Sequence, residues 1–383
     1  MDHALTRRAL LGAGAALGSM LAVKPALASM PLPAPKMRQR PPGPYIFGHR
    51  GACAHRPEHT LASYGRAIDD GADFIEPDLV PTKDGVLVAR HENNIAETTD
   101  VATHPEFASR KAVKMVDGEQ QEGWFTEDFT LAELKTLRAK ERLGALRPES
   151  QSFDGQFPIV TFDEIVAFAA ERAAKRTRPL GIVPEIKHST YFAKAGFDME
   201  ALFLARLNAP ENGWLRTAPV IVQSFEVANL KRLHAMLADR ANVQLMQLLD
   251  DDAKQPADVA AARGKLTYGQ MMTPRGLLDI GTYADWIAPS SRRILPIGTN
   301  GRLDARTTVL ADAHRAGLLV AAWTFRPETQ FLAGDFRMCG DAPLCVDGSY
   351  REIREYLNTG LDAVFTDDPA IGRKAADTLS TMG

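Results

Sequence analysis

The sequence of 383 residues has few cysteines, no excess of basic residues and no apolar stretch long enough for a membrane span. Its three cysteines, Cys53, Cys339 and Cys345, fit neither the number nor the spacing of a structural zinc site. Lys and Arg number 45 against 48 Asp and Glu, so no basic surplus is available to neutralise a nucleic-acid backbone. These absences argue against a zinc-stabilised domain, a nucleic-acid-binding protein and an integral membrane span in the mature chain.

The N-terminal segment differs in composition from the rest. Paired arginines at 7–8 precede an uncharged run over 9–23, and a small-residue triplet follows at 26–28. This order is typical of an export signal, and the paired arginines are typical of the twin-arginine route, whereas the alternative is an ordinary N-terminal helix. We therefore expect a signal peptide over 1–28, cleaved after Ala28, and a protein that is periplasmic or otherwise exported.

Export would place the cysteines in an oxidising compartment. Cys339 and Cys345 lie in a stretch rich in Gly, Asp and Pro, where a disulfide could close a small ring and leave Cys53 as a free thiol. The spacing alone leaves open the alternative of two unrelated buried thiols.

Short apolar runs alternate with helical patterns along the mature chain, which is typical of a parallel sheet with helices outside it. The predicted strands are Tyr45 to Gly48, Phe74 to Leu79, Val86 to Arg90, Leu180 to Ile186, Val220 to Gln223, Val243 to Leu249, Trp286 to Ala288, Leu318 to Thr324 and Ala363 to Thr366. We expect an α/β fold, a (β/α)8 TIM barrel over 45–375. The strands outnumber the eight of a barrel by one, and the short connection from Asp78 to His91 contains the turn signal Lys83-Asp84-Gly85, so one junction must be irregular.

Two stretches exceed the usual length of a connection between strand and helix. They are predicted as insertions at about 93–157, a lobe after the third strand, and at about 327–348.

Polar residues stand at the ends of the first four predicted strands. They are His49 and Arg50 after the first, Glu76 and Asp78 in the second, His91 after the third, and Glu185 and Lys187 at the fourth. Because the carboxyl ends of barrel strands share one face, we expect these side chains to converge on a single pocket.

Three of these residues are carboxylates whose crowding calls for a cation. Glu76 and Asp78 are two apart on a strand and point to the same side, and Glu185 can add a third carboxylate. Hard oxygen ligands suit one divalent cation, Ca2+ or Mg2+. The sequence therefore predicts a metal site at Glu76, Asp78 and Glu185.

The remaining strand-end residues suit proton transfer and anion binding. Imidazole titrates near neutral pH, so His49 and His91 can serve as a base and an acid on either side of a reacting phosphorus. Arg50 offers a planar fork for phosphate oxygens. The sequence does not say which histidine is the acid, and Lys187 could instead be an ion-pair partner.

The chain also carries a series of short motifs. In order they are G-H-R-G-A, P-E-H-T-L, E-x-D-L-V, T-K-D-G-x-L-V-x-x-H, P-E-I-K, Q-S-F and F-T-D-D-P. In this order the chain, from Ile46 to Pro369, resembles the glycerophosphodiester phosphodiesterases, particularly the periplasmic bacterial branch. The resemblance implies metal-dependent hydrolysis of a small glycerophosphodiester, such as glycerophosphocholine, to sn-glycerol 3-phosphate and an alcohol.

The same resemblance assigns roles to residues. It implies that His49 and His91 are the acid–base pair, that Arg50 and Lys187 hold the phosphate, and that the metal ligands are those named above. It also implies a helical lobe over the barrel mouth at 93–157. Phe225 and Trp323 are candidates for contact with substrate, with barrel core as the alternative.

The chain departs from the family pattern at two places. Glu92 follows the second histidine where the family usually has Asp, which puts the orientation of His91 in question. The motif Trp323-Thr324-Phe325-Arg326 replaces an ending in Val-Asn. Glu58 and His59 either clamp Arg50 or cap the following helix.

Alternatives to this function remain. One is a different phosphodiesterase on the same scaffold, of the phospholipase D or phosphatidylinositol-cleaving type, which would need an apolar groove for acyl chains. Another is a non-catalytic phosphoester-binding protein. Within the hydrolytic reaction, the substrate's own 2-hydroxyl or water could attack phosphorus. The sequence does not address the oligomeric state.

Overall fold

The computed structural model describes residues 36–379, so the expected signal peptide lies outside the described residues. The strands are β1 (Tyr45–His49), β2 (Phe74–Glu76), β3 (Asp78–Pro81), β4 (Leu87–Ala89), β5 (Ala112–Val116), β6 (Glu119–Gly123), β7 (Gly181–Ile182), β8 (Glu185–Ile186), β9 (Val220–Ser224), β10 (Val243–Leu249), β11 (Trp286–Pro289), β12 (Leu319–Phe325) and β13 (Ala363–Thr366). Parallel pairing runs from β1 through β2, β7, β9, β10, β11 and β12 to β13, which pairs again with β1. The predicted barrel of eight parallel strands is confirmed.

Helices pack around this barrel. They are α1 (Leu61–Asp69), α2 (Leu131–Leu134), α3 (Pro148–Gln151), α4 (Phe162–Ala173), α5 (Ser189–Lys194), α6 (Met199–Asn208), α7 (Val227–Met236), α8 (Ala257–Ala261), α9 (Tyr268–Met271), α10 (Pro274–Ile280), α11 (Val309–Arg315), α12 (Val346–Asn358) and α13 (Pro369–Leu379). Short 3-10 helices occupy Val101–Thr103, Pro105–Arg110, Thr126–Asp128, Gly144–Leu146, Pro210–Arg216, Ser291–Arg293, Thr329–Phe331 and Gly334–Phe336. Threonine caps fix several helix starts: Thr161 Oγ1 accepts from the Glu164 N–H at 3.1 Å, and Glu164 Oε2 accepts from the Thr161 N–H at 2.7 Å.

Prolines divide two of the barrel strands. Pro77 separates β2 from β3, and Pro184 lies between β7 and β8, because a proline has no N–H to contribute to the ladder. Beyond the breaks the strands resume side by side, and Asp78 pairs in register with Glu185. The two carboxylates are therefore brought together by strand register.

The segment predicted as the third barrel strand has a different place. β4 pairs antiparallel with β3, with Leu79 opposite Ala89, so it is the return strand of a hairpin outside the ring. A parallel neighbour would need a crossover longer than this connection allows, whereas Gly85, at a φ of 78°, makes the tight turn. The prediction of Val86 to Arg90 as a barrel strand is wrong, and His91 follows this hairpin. The lobe accordingly follows the second barrel strand.

Two apolar clusters stabilise the fold. The larger lies between the strands and the helices, and the smaller fills the barrel. Inside the barrel, the Phe47 ring lies 5.0 Å from Phe74 and 4.9 Å from Phe365, in edge-to-face contact. This aromatic packing closes the barrel interior below the mouth.

The two predicted insertions have mixed structure. The segment 93–157 contains short 3-10 helices and the one-turn helices α2 and α3, so the implied helical lobe also carries an antiparallel hairpin, β5–β6. The segment 327–348 carries a disulfide between Cys339 and Cys345, whose Cα atoms are 5.4 Å apart, while Cys53 is a buried free thiol. Within residues 36–379, no helix is both long and apolar enough to cross a bilayer.

Candidate active site

The strand-end residues meet at the carboxyl end of the barrel. A pocket of about 210 Å³ is lined by His49, Arg50, Glu76, His91, Glu185, Gln223, Phe225, Leu248, Trp323, Thr324, Arg326 and Phe365. Lys187 lines an adjoining groove of about 460 Å³, which shares His91 and Glu185 with the pocket. Asp78 lies against Lys187. The structure thus brings together all nine residues that the sequence singled out.

His49 ends β1 and is fixed by a carboxylate from the far end of the chain. Its Nδ1 lies 2.6 Å from Asp367 Oδ1, just after β13. An ionised carboxylate accepts a hydrogen bond from this nitrogen, so the neutral ring carries its hydrogen on Nδ1 and leaves Nε2 as an acceptor. Burial, followed by the neighbouring Arg50, lowers the pKa of His49 to about 4.

His91 is held in the same manner by Glu92, whose Oε1 contacts His91 Nδ1. The longer Glu side chain therefore supplies the carboxylate contact that the departure from Asp put in question. Burial, then the positive charges of Arg50 and Lys187, lowers the pKa of His91 to about 3. Both imidazoles are consequently neutral in the ligand-free pocket at neutral pH.

Glu76, Asp78 and Glu185 form a buried carboxylate cluster in which one oxygen from each lies within 4.8 Å of the others. Burial and the neighbouring carboxylates raise the pKa of Glu76 well above its usual value. Burial also raises the pKa of Glu185 to about 8, although Lys187 opposes the shift. Burial opposes ionisation of Asp78 too, but Lys187 and His59 hold its pKa well below the ordinary value.

This cluster fits a hard divalent cation. Asp78 Oδ1 is buried and accepts no hydrogen bond in the described structure, and all three ligands offer carboxylate oxygen. Lys187 Nζ already lies 2.8 Å from Glu185 Oε2 and 3.2 Å from Asp78 Oδ1. The donor set is therefore partly neutralised by a lysine that sequence analysis assigned to phosphate.

Arg50 is anchored on both its backbone and its side chain. Its N–H donates to Glu76 Oε2 at 2.8 Å, and its NH1 donates to Glu58 Oε2 at 2.9 Å. Its Nε has no hydrogen-bond acceptor and lies 3.7 Å from Asp78 Oδ2. The guanidinium thus keeps a buried Nε–H that makes no hydrogen bond and faces the carboxylate of Asp78.

Glu58 and His59, predicted either to clamp Arg50 or to cap the following helix, have different contacts. Glu58 clamps Arg50, whereas His59 Nε2 lies 2.9 Å from Asp78 Oδ2 and its Nδ1 lies 2.7 Å from the Tyr64 hydroxyl. Neither caps the next helix, because Thr60 Oγ1 accepts the Ser63 N–H at 3.1 Å.

Phe225 and Trp323 form one wall of the pocket. Their rings are 5.8 Å apart and nearly perpendicular, and the Trp323 Nε1–H donates to the Ala288 carbonyl at 2.8 Å. Both are half-buried, line the pocket and rest on the apolar cluster inside the barrel. Phe225 and Trp323 can therefore belong to the barrel core and still present a face to substrate.

Sequence reasoning gave no role to several site residues. Gln223 is the last residue but one of β9, and its Nε2 donates to Glu76 Oε1 at 3.0 Å. Asp367 holds His49. Both stand within motifs already quoted, Q-S-F and F-T-D-D-P, and both obey the strand-end rule. Arg142 and Arg147 also reach the site from the lobe, and no pattern in the sequence marks them.

Comparison with known proteins agrees with this arrangement. Residues 49–371 match the glycerophosphoryl diester phosphodiesterase family. A glycerophosphodiester phosphodiesterase of Arabidopsis thaliana is 36% identical over 337 residues, which cover 85% of this chain and 83% of the relative. Another, from Haemophilus influenzae, is 30% identical over 64% of this chain and 68% of its own.

The fold is shared with solved structures. A Silicibacter pomeroyi protein described as a glycerophosphoryl diester phosphodiesterase matches with a TM-score of 0.60 at 20% identity, covering 89% of this chain and 96% of that chain. A phosphodiesterase from Oleispira antarctica, solved with the product sn-glycerol-3-phosphate, matches with a TM-score of 0.54 at 18% identity, covering 87% and 96%. With its barrel, its pocket and a family match that spans both, the chain belongs to the glycerophosphoryl diester phosphodiesterase family.

Proposed function

We propose that this protein hydrolyses glycerophosphodiesters to sn-glycerol 3-phosphate and an alcohol, with His49 and His91 exchanging protons with the substrate. The observation that carries the proposal is the pairing of two carboxylate-backed imidazoles in one pocket beside a buried carboxylate cluster. Family membership and the product named for the Oleispira antarctica protein support the choice of substrate.

The histidines act through Nε2. With Nδ1 held by Asp367 or Glu92, the neutral imidazole presents a lone pair that can accept a proton from the attacking hydroxyl. A bound phosphodiester anion stabilises the protonated form of the other histidine, which then donates to the leaving alcohol oxygen. The same pair serves whether the substrate's 2-hydroxyl or water attacks phosphorus.

Arg50 and the aromatic wall orient the substrate. Arg50 lines the pocket and offers its guanidinium to a phosphate oxygen, and Lys187 adds positive charge in the adjoining groove. Phe225 and Trp323 offer apolar faces to the carbon atoms of the glycerol moiety. Together these groups place phosphorus between the two imidazoles.

Glu76, Asp78 and Glu185 would hold one divalent cation, Ca2+ or Mg2+. When bound, the cation supplies positive charge that neutralises the phosphodiester and stabilises charge developing on its oxygens. Gln223 and the Arg50 N–H, which donate to the two oxygens of Glu76, keep that carboxylate in place. We also propose that the protein is exported, on the strength of the signal at 1–28, and N-terminal sequencing of the protein recovered from the periplasm tests this.

The test is incubation of the purified protein with glycerophosphocholine, with detection of sn-glycerol 3-phosphate and choline. Both products should form, chelation should abolish their formation, and Ca2+ or Mg2+ should restore it. The variant His49→Ala should lose at least about 10²-fold in kcat, while His234→Ala, at an exposed histidine of α7, serves as the matched control. Release of phosphocholine instead of glycerol 3-phosphate, or full activity in excess chelator, would contradict the proposal.

A further inference from the structure

The lobe delivers an arginine to the carboxylate behind each histidine. Arg147 is buried, with 4% of its side chain exposed, and its NH2 contacts Asp367 Oδ2, the oxygen not used by His49. Its Nε donates to the buried Glu328 at 2.5 Å, and its NH1 donates to the Cys53 carbonyl at 3.0 Å. Every branch of this guanidinium is therefore engaged, which fixes both the arginine and Asp367.

Arg142 does the same on the other side of the pocket. Its NH1 and NH2 donate to the two oxygens of Glu92 at 3.0 and 2.7 Å, in a bidentate pair. Its NH2 also donates to Glu58 Oε1 at 2.7 Å, and Glu58 in turn holds Arg50. Arg142 is thus tied to both His91 and the guanidinium proposed to bind phosphate.

Arg142 and Arg147 lie in one turn that side-chain hydrogen bonds stabilise. A short 3-10 helix, Gly144–Leu146, lies between them. Glu141 closes the turn, because its Oε1 accepts the Leu143 N–H at 2.8 Å and its Oε2 accepts the Ser150 hydroxyl at 2.6 Å. The segment 141–150 therefore presents Arg142 and Arg147 as one unit over the mouth.

We infer that Arg142 and Arg147 are positioning residues, which set the tautomer and the orientation of His91 and His49 by locking Glu92 and Asp367. The inference rests on the proposed function of the two histidines. A carboxylate held only by its own imidazole can rotate about its side-chain bonds, and the ring follows it. A guanidinium on the second oxygen removes that freedom and keeps the carboxylate ionised, so the imidazole retains its hydrogen on Nδ1.

Because each arginine contacts the carboxylate of one histidine, its effect on catalysis should depend on that histidine and not on the other. A double-mutant cycle on kcat for glycerophosphocholine measures this coupling. Arg142→Ala should lower kcat at least about 10-fold, the lower part of the range for perturbed outer partners of a functional histidine, with KM changed less. In a His91→Ala background the same substitution should cost clearly less than in the wild type, because only its contact with Glu58, and through it with Arg50, is left to lose. In a His49→Ala background its full effect should persist.

For Arg147 the roles of the two histidines are exchanged: its effect on kcat should depend on His49 and be independent of His91. Its removal leaves Glu328 unpaired in the core, so Arg147→Lys, which keeps one charge but cannot engage every partner, is the second variant. Arg110→Ala, which removes an ion pair with Glu133 elsewhere in the lobe, is the matched control and should retain kcat. Equal losses in both histidine backgrounds would reduce the arginines to stabilising residues and overturn the inference.

A spectroscopic readout separates this inference from the proposed function. In selectively 15N-labelled protein, His49 and His91 should each show a single tautomer with the hydrogen on Nδ1. Arg142→Ala should produce mixed tautomers at His91 and leave His49 unchanged. If the wild-type protein hydrolyses no glycerophosphodiester, this signature still decides the positioning role, and an unchanged His91 spectrum in a folded Arg142→Ala variant refutes it.

Discussion

Replacing Glu185 by Gln tests the carboxylate cluster without relying on activity. At an effective dielectric constant of about 20, two like charges no more than 4.8 Å apart repel by at least about 3.5 kcal/mol. If all three carboxylates were ionised, Glu185 would be opposed by at least about 7 kcal/mol, against an attraction of about 6 kcal/mol from Lys187 Nζ at 2.8 Å. Burial adds to the cost of the charge and raises the pKa of Glu185 to about 8, so without a cation this side chain is mostly protonated at neutral pH and glutamine imitates its neutral form.

Glu185→Gln should therefore change the free energy of unfolding by no more than about 1 kcal/mol when no divalent cation is present. With cation at about 100 times its dissociation constant, the wild-type protein should gain about 2.7 kcal/mol. A variant that binds about 10-fold more weakly should gain only about 1.4 kcal/mol under the same conditions. The difference between the two proteins should appear only when Ca2+ or Mg2+ is added.

Urea denaturation, followed by circular dichroism in chelator and then in each cation, measures these free energies. Glu97→Gln, at an exposed carboxylate of the lobe, is the matched control and should behave as the wild type in both conditions. If Ca2+ and Mg2+ stabilise the wild type and Glu185→Gln equally, Glu185 is not a cation ligand. If neither cation stabilises the wild type, the cluster is not a divalent site.

Three further outcomes are expected. Replacing the histidine that acts as the general acid, His49 or His91, should lower kcat at least about 10²-fold with a choline diester and much less with a nitrophenyl diester. Replacing the histidine that acts as the base should lower kcat equally with both substrates. If both variants lose equally with both substrates, neither histidine is the general acid. The hydrogen bond to Asp368 raises the pKa of His55, so its contribution to stability is present below about pH 6.5 and is lost as pH rises through the folded-state pKa. Urea titrations should show the wild type losing its advantage over His55→Gln as pH rises above 6.5 through the raised folded-state pKa, and a constant difference would refute that role. Shortening the hairpin 112–123, whose residues Asp117 and Glu119 line the groove beside the pocket, should alter the preference between choline and glycerol headgroups in competition assays, and unchanged selectivity would make the hairpin a stabilising cap.

The barrel was predictable because its strands follow a simple rule. Apolar runs separated by helical patterns leave few alternatives to a parallel sheet, and every predicted run except Val86 to Arg90 contributes to the ring. That segment is as apolar as a barrel strand, so composition could not exclude it. Only the length of the connection from Asp78 to His91, too short for a crossover, indicated the antiparallel hairpin.

The site residues on strand ends were predictable for the same reason, since position on a strand determines the face. The rule extends to Gln223 and Asp367, which a stricter application would have found. The partners of Lys187 were not predictable, because a lysine among carboxylates and a lysine on phosphate occupy the same strand position. The structure has Lys187 within 3.2 Å of two of the carboxylates, which agrees with the alternative that this lysine is an ion-pair partner.

Arg142 and Arg147 of the lobe could not be predicted as site residues, for a different reason. Arg142 reaches Glu58 across 84 positions, and Arg147 reaches Asp367 across 220, from a turn with no periodic pattern. Around the pocket the acidic side chains include Glu58, Glu76, Asp78, Glu92, Glu185 and Asp367, and the basic ones include Arg50, Arg142, Arg147, Lys187 and Arg326. Arg142 and Arg147 offset the charges of Glu92 and Asp367, the carboxylates behind the histidines. A divalent cation held by Glu76, Asp78 and Glu185 would add positive charge beside Arg50 and Lys187, so cation and lobe together favour the binding of a phosphodiester anion.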